Sequence, residues 1–411
     1  LFSGFSSLIN YHAKCRMNLI NCLAFGLIVI IGLSVSGCDD KVDTDRLAEK
    51  TLFMYFPWSN NLTGYFRTNI SDMEQAISQR GLENEHVIVF FSTAPDEAEL
   101  YEIVCKKGKC EHNILKRYTD PAFTTSQGIT GILNDVKSFA PARTYAMTIG
   151  CHGMGWIPVY NSRARSLVPF KYHWDVDGAP LTRFFGGTEK AYQTDVTALA
   201  DGIANAGMTM EFILFDDCYM ASVEVAYDLR HVTGHLIAST CEMMAYGLPY
   251  ARIGAYLLGT PDYQAICDHF YEFYSAYNLP YGTLSVIDCS QLDALAEVMN
   301  EINARYTFDT SLLGYLQRLD GYSPTIFYDM GDYVSTLNRG EHLQELFEEQ
   351  LARTVIYSVH TDEYYTTLSQ PNVRPIHSFS GLTISDPSTS SEAVAKTNTA
   401  WWKATHRSTT Y

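Results

Sequence analysis

Short apolar runs alternate along the chain with longer segments that have helical spacing or helix-end signals. The apolar runs have the length of buried strands and are too short for helices, and they occupy residues 52–56, 87–91, 145–149, 212–215, 236–239 and 283–288. Helices are predicted between and after them, at residues 72–80, 125–139, 195–206 and 291–306. This alternation predicts an α/β fold with a mainly parallel sheet that helices cover on both faces.

Local signals refine the first half of this pattern. Ser71 and Glu74 have the spacing of a capping box, so the helix at 72–80 is expected to begin there and to end at Gly81. Two strand-like segments within residues 99–118 are predicted to form a hairpin at one edge of the sheet. Cys105 and Cys110 flank its turn, where either a disulfide in an oxidising compartment or a pair of thiols fits the spacing.

The first part of the chain has the features of a secretion signal. Met17 precedes a long apolar stretch, which ends in Val35-Ser36-Gly37-Cys38. This arrangement resembles a bacterial lipoprotein signal, in which cleavage precedes a cysteine that receives lipid. We therefore expect Cys38 to be lipidated and the protein to be anchored in the bacterial cell envelope, on the periplasmic or the surface face of the outer membrane. The alternatives are a simple signal peptide and a membrane anchor, although the run is shorter than the ~20 residues of a span.

Four parts of the chain follow from these patterns. They are an upstream segment with a signal peptide at 1–37, an acidic tether at 38–50, a principal α/β domain at 51–308 and a supporting α+β subdomain at 309–411. The formal net charge of −17 argues against non-specific nucleic-acid binding. It suits a cationic substrate, although acidic surfaces more often serve solubility. No spacing of cysteine and histidine matches a zinc site.

Two strand ends carry residues with catalytic chemistry. Cys218 follows the apolar run 212–215, where a helical pattern begins, and a helix N-terminus favours a thiolate. His152 follows the run 145–149 and is flanked by glycines that suit a tight turn. Because carboxyl ends of parallel strands lie along one edge of a sheet, these two residues are expected near each other. They would then act as a thiol nucleophile and its general base.

The residues around both positions resemble the clostripain family of cysteine peptidases, which is related to caspases, legumain and gingipains. The resemblance rests on four motifs, which are HGMGW at 152–156, FDDCYM at 215–220, VEVA at 223–226 and GLPY at 247–250. It spans roughly residues 52–386 and implies a caspase-like αβα sandwich. It also implies a cysteine endopeptidase that acts on protein or peptide substrates.

The resemblance assigns roles to particular residues. Cys218 would be the nucleophile and His152 the general base and acid, in a dyad without an acidic third member. The backbone N–H groups of Gly153 and Cys218 would hold the oxyanion. Because the family cleaves after arginine or lysine, it implies an acidic S1 pocket. The candidates for that pocket are Asp216, Thr240 and Glu242, and an alternative role for Asp216 is to cap the following helix.

Maturation and cofactors also follow from the resemblance. Residues 157–187 form a long segment without clear periodicity, and such segments are usually functional or disordered. Family members mature by cleavage in this place, so Arg163 and Arg165 are candidate self-cleavage sites of a zymogen. No cofactor is required. Calcium is a further candidate because some relatives use it, with Asp288, Asp329 and Asp332 as the carboxylates considered, but turn and cap roles fit their spacing better.

This sequence departs from the family at two positions beside the dyad. Asp217 replaces the small residue that usually precedes the cysteine, and Cys151 precedes the histidine. A carboxylate beside a thiol disfavours the thiolate. The alternative interpretation is therefore a surface-exposed binding lipoprotein on a caspase-like fold with weak or no peptidase activity. A serine hydrolase is disfavoured, since the Gly-x-Ser-x-Gly motif is absent.

Overall fold

A central β-sheet organises the computed structural model, which describes residues 47–159, 186–338 and 342–407. Within these residues the strands are β1 (Ala48–Phe56), β2 (Glu85–Ala94), β3 (Glu97–Lys106), β4 (Lys109–Thr119), β5 (Ala142–Gly150), β6 (Met210–Asp216), β7 (Thr233–Ala238), β8 (Thr283–Asp288), β9 (Tyr328–Asp329), β10 (Val355–His360), β11 (Glu363–Tyr365), β12 (Val373–Pro375) and β13 (Thr383–Ile384). Nine of these described strands form the central sheet, in the order β10-β8-β7-β6-β5-β1-β2-β3-β4.

The middle of the sheet is parallel and its two edges are antiparallel. β2, β1, β5, β6 and β7 run in one direction. β3 and β4 form the predicted hairpin beyond β2, and β8 and β10 extend the other side. A disulfide joins Cys105 to Cys110 across the β3–β4 turn. The predicted fold class, a mainly parallel sheet in an α/β fold, is confirmed.

Helices pack beside the sheet in two groups. In the described part of the chain they are α1 (Thr63–Arg80), α2 (Ser126–Phe139), α3 (Val196–Asn205), α4 (Val223–Leu229), α5 (Tyr250–Leu257), α6 (Tyr263–Ala276), α7 (Leu292–Arg305), α8 (Met330–Asn338), α9 (His342–Thr354) and α10 (Ala400–Thr405). One group joins α1, α5 and α6, and the other joins α2, α3, α4, α7, α8, α9 and α10. This arrangement is expected of helices that cover the two faces of one sheet.

The capping-box prediction for α1 is wrong. The helix begins at Thr63, directly after a 3-10 turn at Asn60–Leu62, so Ser71 and Glu74 lie within it. Its apolar stripe extends back to Phe66, and burial of this longer face outweighs the local capping signal. Gly81 ends the helix as predicted, with a φ of 86° and an N–H that donates to a carbonyl of the last turn.

The last hundred residues contribute to the same sheet. The described residues from Ala48 onward form one compact unit, and β10 pairs antiparallel with β8 of the preceding part. The predicted domain boundary at residue 308 stays a prediction. None of the described helices is both long and apolar enough to span a membrane. Cys38, Arg163 and Arg165 lie outside the described residues, as do the predicted signal peptide and most of the tether.

Candidate active site

Two loops meet at the edge formed by the carboxyl ends of the parallel strands. The histidine loop (residues 151–156) follows β5, and the cysteine loop (residues 217–222) follows β6. Gly150 pairs with Asp216 in the β5–β6 register, so His152 and Cys218 each lie two residues beyond paired positions. Both side chains are fully buried. The sheet register itself therefore brings the two predicted catalytic residues to neighbouring places.

Gly153 marks the point of closest approach between these loops. A Cβ atom at this position would lie 2.3 Å from the carbonyl oxygen of Cys218 and 3.0 Å from its nitrogen. No side chain fits at that distance, so only glycine allows the histidine loop to pack directly on the backbone of Cys218.

Asn61 supplies a hydrogen bond to the histidine. It lies in the 3-10 turn after β1, and β1 is the neighbour of β5 in the sheet. The Nε2 atom of His152 is 2.8 Å from Oδ1 of Asn61. With Oδ1 as the acceptor, Nε2 carries the proton and Nδ1 carries the lone pair of the neutral ring. Asn61 thereby selects the tautomer of His152. The sequence analysis missed this residue, because an asparagine in a polar loop carries no signal of its partner.

The sequence pattern predicts that a helix begins at Cys218, but the cysteine loop is not the start of a helix. Tyr219 has a left-handed φ of 62°, and α4 begins only at Val223 after the Ser222 cap. The backbone N–H of Tyr219 donates to the carbonyl of Cys241, which holds the turn against the loop after β7. The expected contribution of a helix dipole at the thiol is therefore wrong, since the helix starts several residues later.

The loop after β7 contacts the sulfur directly. The backbone N–H of Met243 lies 3.0 Å from Sγ of Cys218. A donor at sulfur interacts more strongly with a thiolate than with a thiol.

The residues predicted for the S1 pocket lie on the loops that flank Cys218. Oδ1 of Asp216 accepts the N–H of Leu248 at 2.8 Å, so it does not cap α4 and anchors the GLPY segment instead. Glu242 accepts the Tyr219 hydroxyl at 2.9 Å. Thr240 bonds the Thr283 hydroxyl at 2.9 Å. All three predicted residues are buried, and their S1 roles stay predictions.

Tyr219 is a second residue that the sequence analysis missed. Its ring stacks on Phe327 at a centroid distance of 5.0 Å, and its hydroxyl donates to Glu242. Burial, followed by the charges of Glu242 and its neighbours, raises the pKa of the Tyr219 hydroxyl well above its ordinary value, so this group stays a donor. These contacts fix the backbone directly beside the nucleophile.

Two residues that depart from the family motifs contact each other. Oδ1 of Asp217 accepts the N–H of Cys151 at 2.6 Å, and its Oδ2 lies 3.6 Å from Sγ of Cys151. Both residues are fully buried. Asp217 therefore joins the cysteine loop to the histidine loop on the side away from β7, through the residue directly before each catalytic position.

The carboxylates considered for calcium each accept backbone N–H groups, Asp288 within a local turn and the other two from distant segments. Asp288 accepts the N–H of Ser290 at 2.9 Å, and Asp332 accepts the N–H of Gln317 at 2.6 Å. Asp329 accepts the N–H of Ser380 at 2.6 Å. Among the described residues, no group of three or more His, Cys, Asp or Glu side chains could hold a metal ion.

Comparisons with known proteins place this geometry in context. The family model described as the clostripain family matches residues 54–374. A crystal structure of a secreted C11 cysteine protease from Bacteroides thetaiotaomicron, "iotapain", is 54% identical, with a TM-score of 0.81, and the match covers 88% of this chain and 100% of that one. Among curated proteins no match was found.

Two further solved structures are similar. One is a clostripain from Bacteroides thetaiotaomicron in complex with the peptide inhibitor BTN-VLTK-AOMK; it is 58% identical, with a TM-score of 0.54, over 55% of this chain and 100% of that one. The other is an inactive zymogen C11 protease from Parabacteroides distasonis; it is 25% identical, with a TM-score of 0.72, over 88% of this chain and 99% of that one.

Proposed function

The chain belongs to the clostripain family and is a cysteine peptidase, and we propose that His152 and Cys218 form its catalytic dyad. The close approach of Gly153 to the carbonyl of Cys218 carries this proposal, because it requires the two loops to be in direct contact. The shared register of β5 and β6 supports it independently.

The mechanism follows from the assigned tautomer. Nδ1 of His152 takes the proton of the Cys218 thiol, and the thiolate attacks the carbonyl carbon of the scissile bond. The N–H groups of Gly153 and Cys218 stabilise the oxyanion. Collapse of the tetrahedral intermediate breaks the C–N bond, and the imidazolium gives its proton to the leaving amine. Water, deprotonated by His152, then hydrolyses the thioester and releases the thiol.

We propose that the enzyme prefers arginine or lysine at P1. Asp216 at the end of β6, Asp217 in the cysteine loop and Glu242 in the loop after β7 lie close to Cys218 in the chain or in the fold, and the whole chain has a formal charge of −17. The inhibitor bound by the 58% identical relative contains the peptide VLTK, which ends in lysine. Asp216 is our first choice for the S1 carboxylate, with Thr240 and Glu242 as further members of the pocket.

The proposed setting is the cell envelope. Cys38 would carry the lipid anchor, and self-cleavage at Arg163 or Arg165 would mature a zymogen, as the existence of an inactive zymogen form in a relative suggests. Retention in the membrane fraction should be lost in Cys38→Ser. The full-length chain should remain uncleaved when Arg163 and Arg165 are both replaced by glutamine. Calcium stays a candidate, and activity with and without a chelator tests it.

The decisive test is cleavage of fluorogenic peptides with Arg, Lys, Asn, Asp or Ala at P1. We expect turnover of Arg or Lys substrates that Cys218→Ala abolishes. Cys267→Ala is the matched control, because Cys267 is another buried, non-disulfide cysteine, placed on α6. Turnover only at another residue would contradict the acidic S1 pocket. No cleavage, even after trypsin treatment, would favour a binding protein on this fold.

A further inference from the structure

A short segment near the end of the chain contacts both catalytic loops. This brace segment, residues 383–385, comprises β13 and the residue after it, Ser385. Thr383 and Ser385 are fully buried. No catalytic or binding role has been assigned above to any residue of the segment, although it contacts the loops that carry both proposed dyad residues.

On one side, the brace segment holds the histidine loop. Trp156 is the last residue of that loop and is 7% exposed. Its indole Nε1–H donates to Oγ of Ser385 at 2.9 Å. A buried N–H group that loses its acceptor keeps its full desolvation cost, so this bond constrains where the end of the histidine loop lies.

On the other side, the brace segment holds the cysteine loop and the helix after it. The N–H of Thr383 donates to the carbonyl of Ala221 at 3.0 Å. The N–H of Ser385 donates at 2.8 Å to Oε1 of Glu224, the second residue of α4. Glu224 is fully buried, so the packing of the protein interior fixes the position of this acceptor, and solvent does not compete for the hydrogen bond.

Lys396 stabilises the chain that follows the brace segment. Its Nζ atom donates to the carbonyls of Asp386 at 2.6 Å and Ser388 at 2.7 Å, and reaches that of Ser385 at 3.2 Å. One ammonium group therefore joins three backbone carbonyls within residues 385–388. The hydroxyl, the N–H and the carbonyl of Ser385 each make a hydrogen bond, to Trp156, Glu224 and Lys396. A side chain that is itself held in this way can position its neighbours.

We propose that Ser385 is a positioning residue for catalysis, which sets the histidine loop relative to the cysteine loop through one hydroxyl and one N–H group. The inference rests on the proposed dyad of His152 and Cys218. Ser385 does not touch the reacting atoms. Its loss lets the histidine loop shift, so that fewer enzyme molecules hold His152 in reach of the thiol at any moment.

The test is a double-mutant cycle in the full-length protein. Ser385→Ala removes the acceptor and Trp156→Phe removes the donor of the same bond. Each variant should lower kcat per active site about tenfold, which corresponds to ~1.4 kcal/mol, with KM nearly unchanged. Active sites are counted with an irreversible peptide inhibitor, so that loss of folded protein does not enter kcat. Because both changes break one bond, the double variant should lose about tenfold and not a hundredfold.

Two matched controls come from the same core. Ser285→Ala and Trp401→Phe remove a buried hydroxyl and a buried indole N–H that make no hydrogen bond among the described residues. Both should keep kcat within about twofold of the parent. The inference is overturned if Ser385→Ala behaves like Ser285→Ala, or if the losses of Ser385→Ala and Trp156→Phe multiply. Activity that persists in Cys218→Ala would instead overturn the proposed dyad.

Discussion

Replacing Asn61 tests whether a third residue orients His152, the proposed catalytic histidine. Its Oδ1 atom accepts the proton of His152 Nε2 at 2.8 Å. In the proposed mechanism, proton transfer from Cys218 makes the imidazole of His152 cationic, and the bond to Asn61 then becomes charge-assisted. Such bonds contribute about 1.5–3 kcal/mol, against about 1 kcal/mol for neutral ones. The neutral bond already exists in the free enzyme, so only the difference, about 0.5–2 kcal/mol, stabilises the transition state.

The expected result in Asn61→Ala is therefore a loss of about 0.5–2 kcal/mol of transition-state stabilisation, or about two- to thirtyfold in kcat/KM. Asn61→Asp keeps an oxygen acceptor at the same distance and should retain activity within about threefold. The assay is hydrolysis of the best fluorogenic substrate between pH 5 and 9, with active sites titrated. Asn113→Ala, an exposed asparagine on the edge strand β4, is the control.

Two outcomes would refute this reasoning. Equal kcat/KM values for Asn61→Ala and Asn113→Ala would mean that His152 holds its tautomer without the bond. An equal loss in Asn61→Ala and Asn61→Asp would mean that the shape of the loop matters and the acceptor does not.

Three further predictions use other parts of the structure. Asp217→Ala should lower kcat/KM by at least tenfold while Asp217→Asn, which still accepts the N–H of Cys151, should lose less; equal losses would exclude the loop contact as the cause. Burial, reinforced by the Asp386 carboxylate, raises the pKa of Glu224 from 4.5 to about 8, so the folded state retains a proton that the unfolded state releases. Stability should therefore fall by up to ~1.4 kcal/mol per pH unit between pH 5 and 8. The advantage of Glu224→Gln in urea unfolding should grow over that window, and an advantage independent of pH would contradict the assignment. The double variant Cys105→Ala/Cys110→Ala should lower the free energy of unfolding by at most ~2 kcal/mol, because the disulfide closes a short loop whose strands already pair in the hairpin. Thermal unfolding of the oxidised parent and of the variant measures this difference.

The parts of the fold that the sequence predicted are those where burial acts locally. An apolar run such as 212–215 forms a strand in which every side chain is buried. The other apolar runs form strands in the same way, and the helices between them cover the faces of the sheet. The edge hairpin and the Gly81 stop of α1 also follow from nearby residues. The start of α1 was missed because its first turns are held by packing of Phe66 and Ile70 into the core.

In the candidate site, too, residues marked by local sequence features were predicted, and residues marked only by distant contacts were missed. His152 and Cys218 were predicted because each is marked by its place at a strand end and by a motif around it. Asn61 and Ser385 carry no such mark, since their partners lie 91 and 229 residues away in the sequence. The contact between Asn61 and His152 can be predicted only once the sheet order, which places β1 beside β5, is known.

The backbone at the nucleophile shows why the surrounding residues must be so specific. Tyr219 adopts a left-handed φ, which costs on the order of 1 kcal/mol or more for a residue with a side chain. Its stacking on Phe327 and its bond to Glu242 offset that cost, and both contacts require the ring that glycine lacks. Because of this turn, Cys218 lies several residues before α4 begins, and its position depends on contacts with neighbouring segments. Met243, Asp217 and the brace segment hold the cysteine loop from different directions, so the geometry of the proposed dyad depends on tertiary packing rather than on a helix terminus.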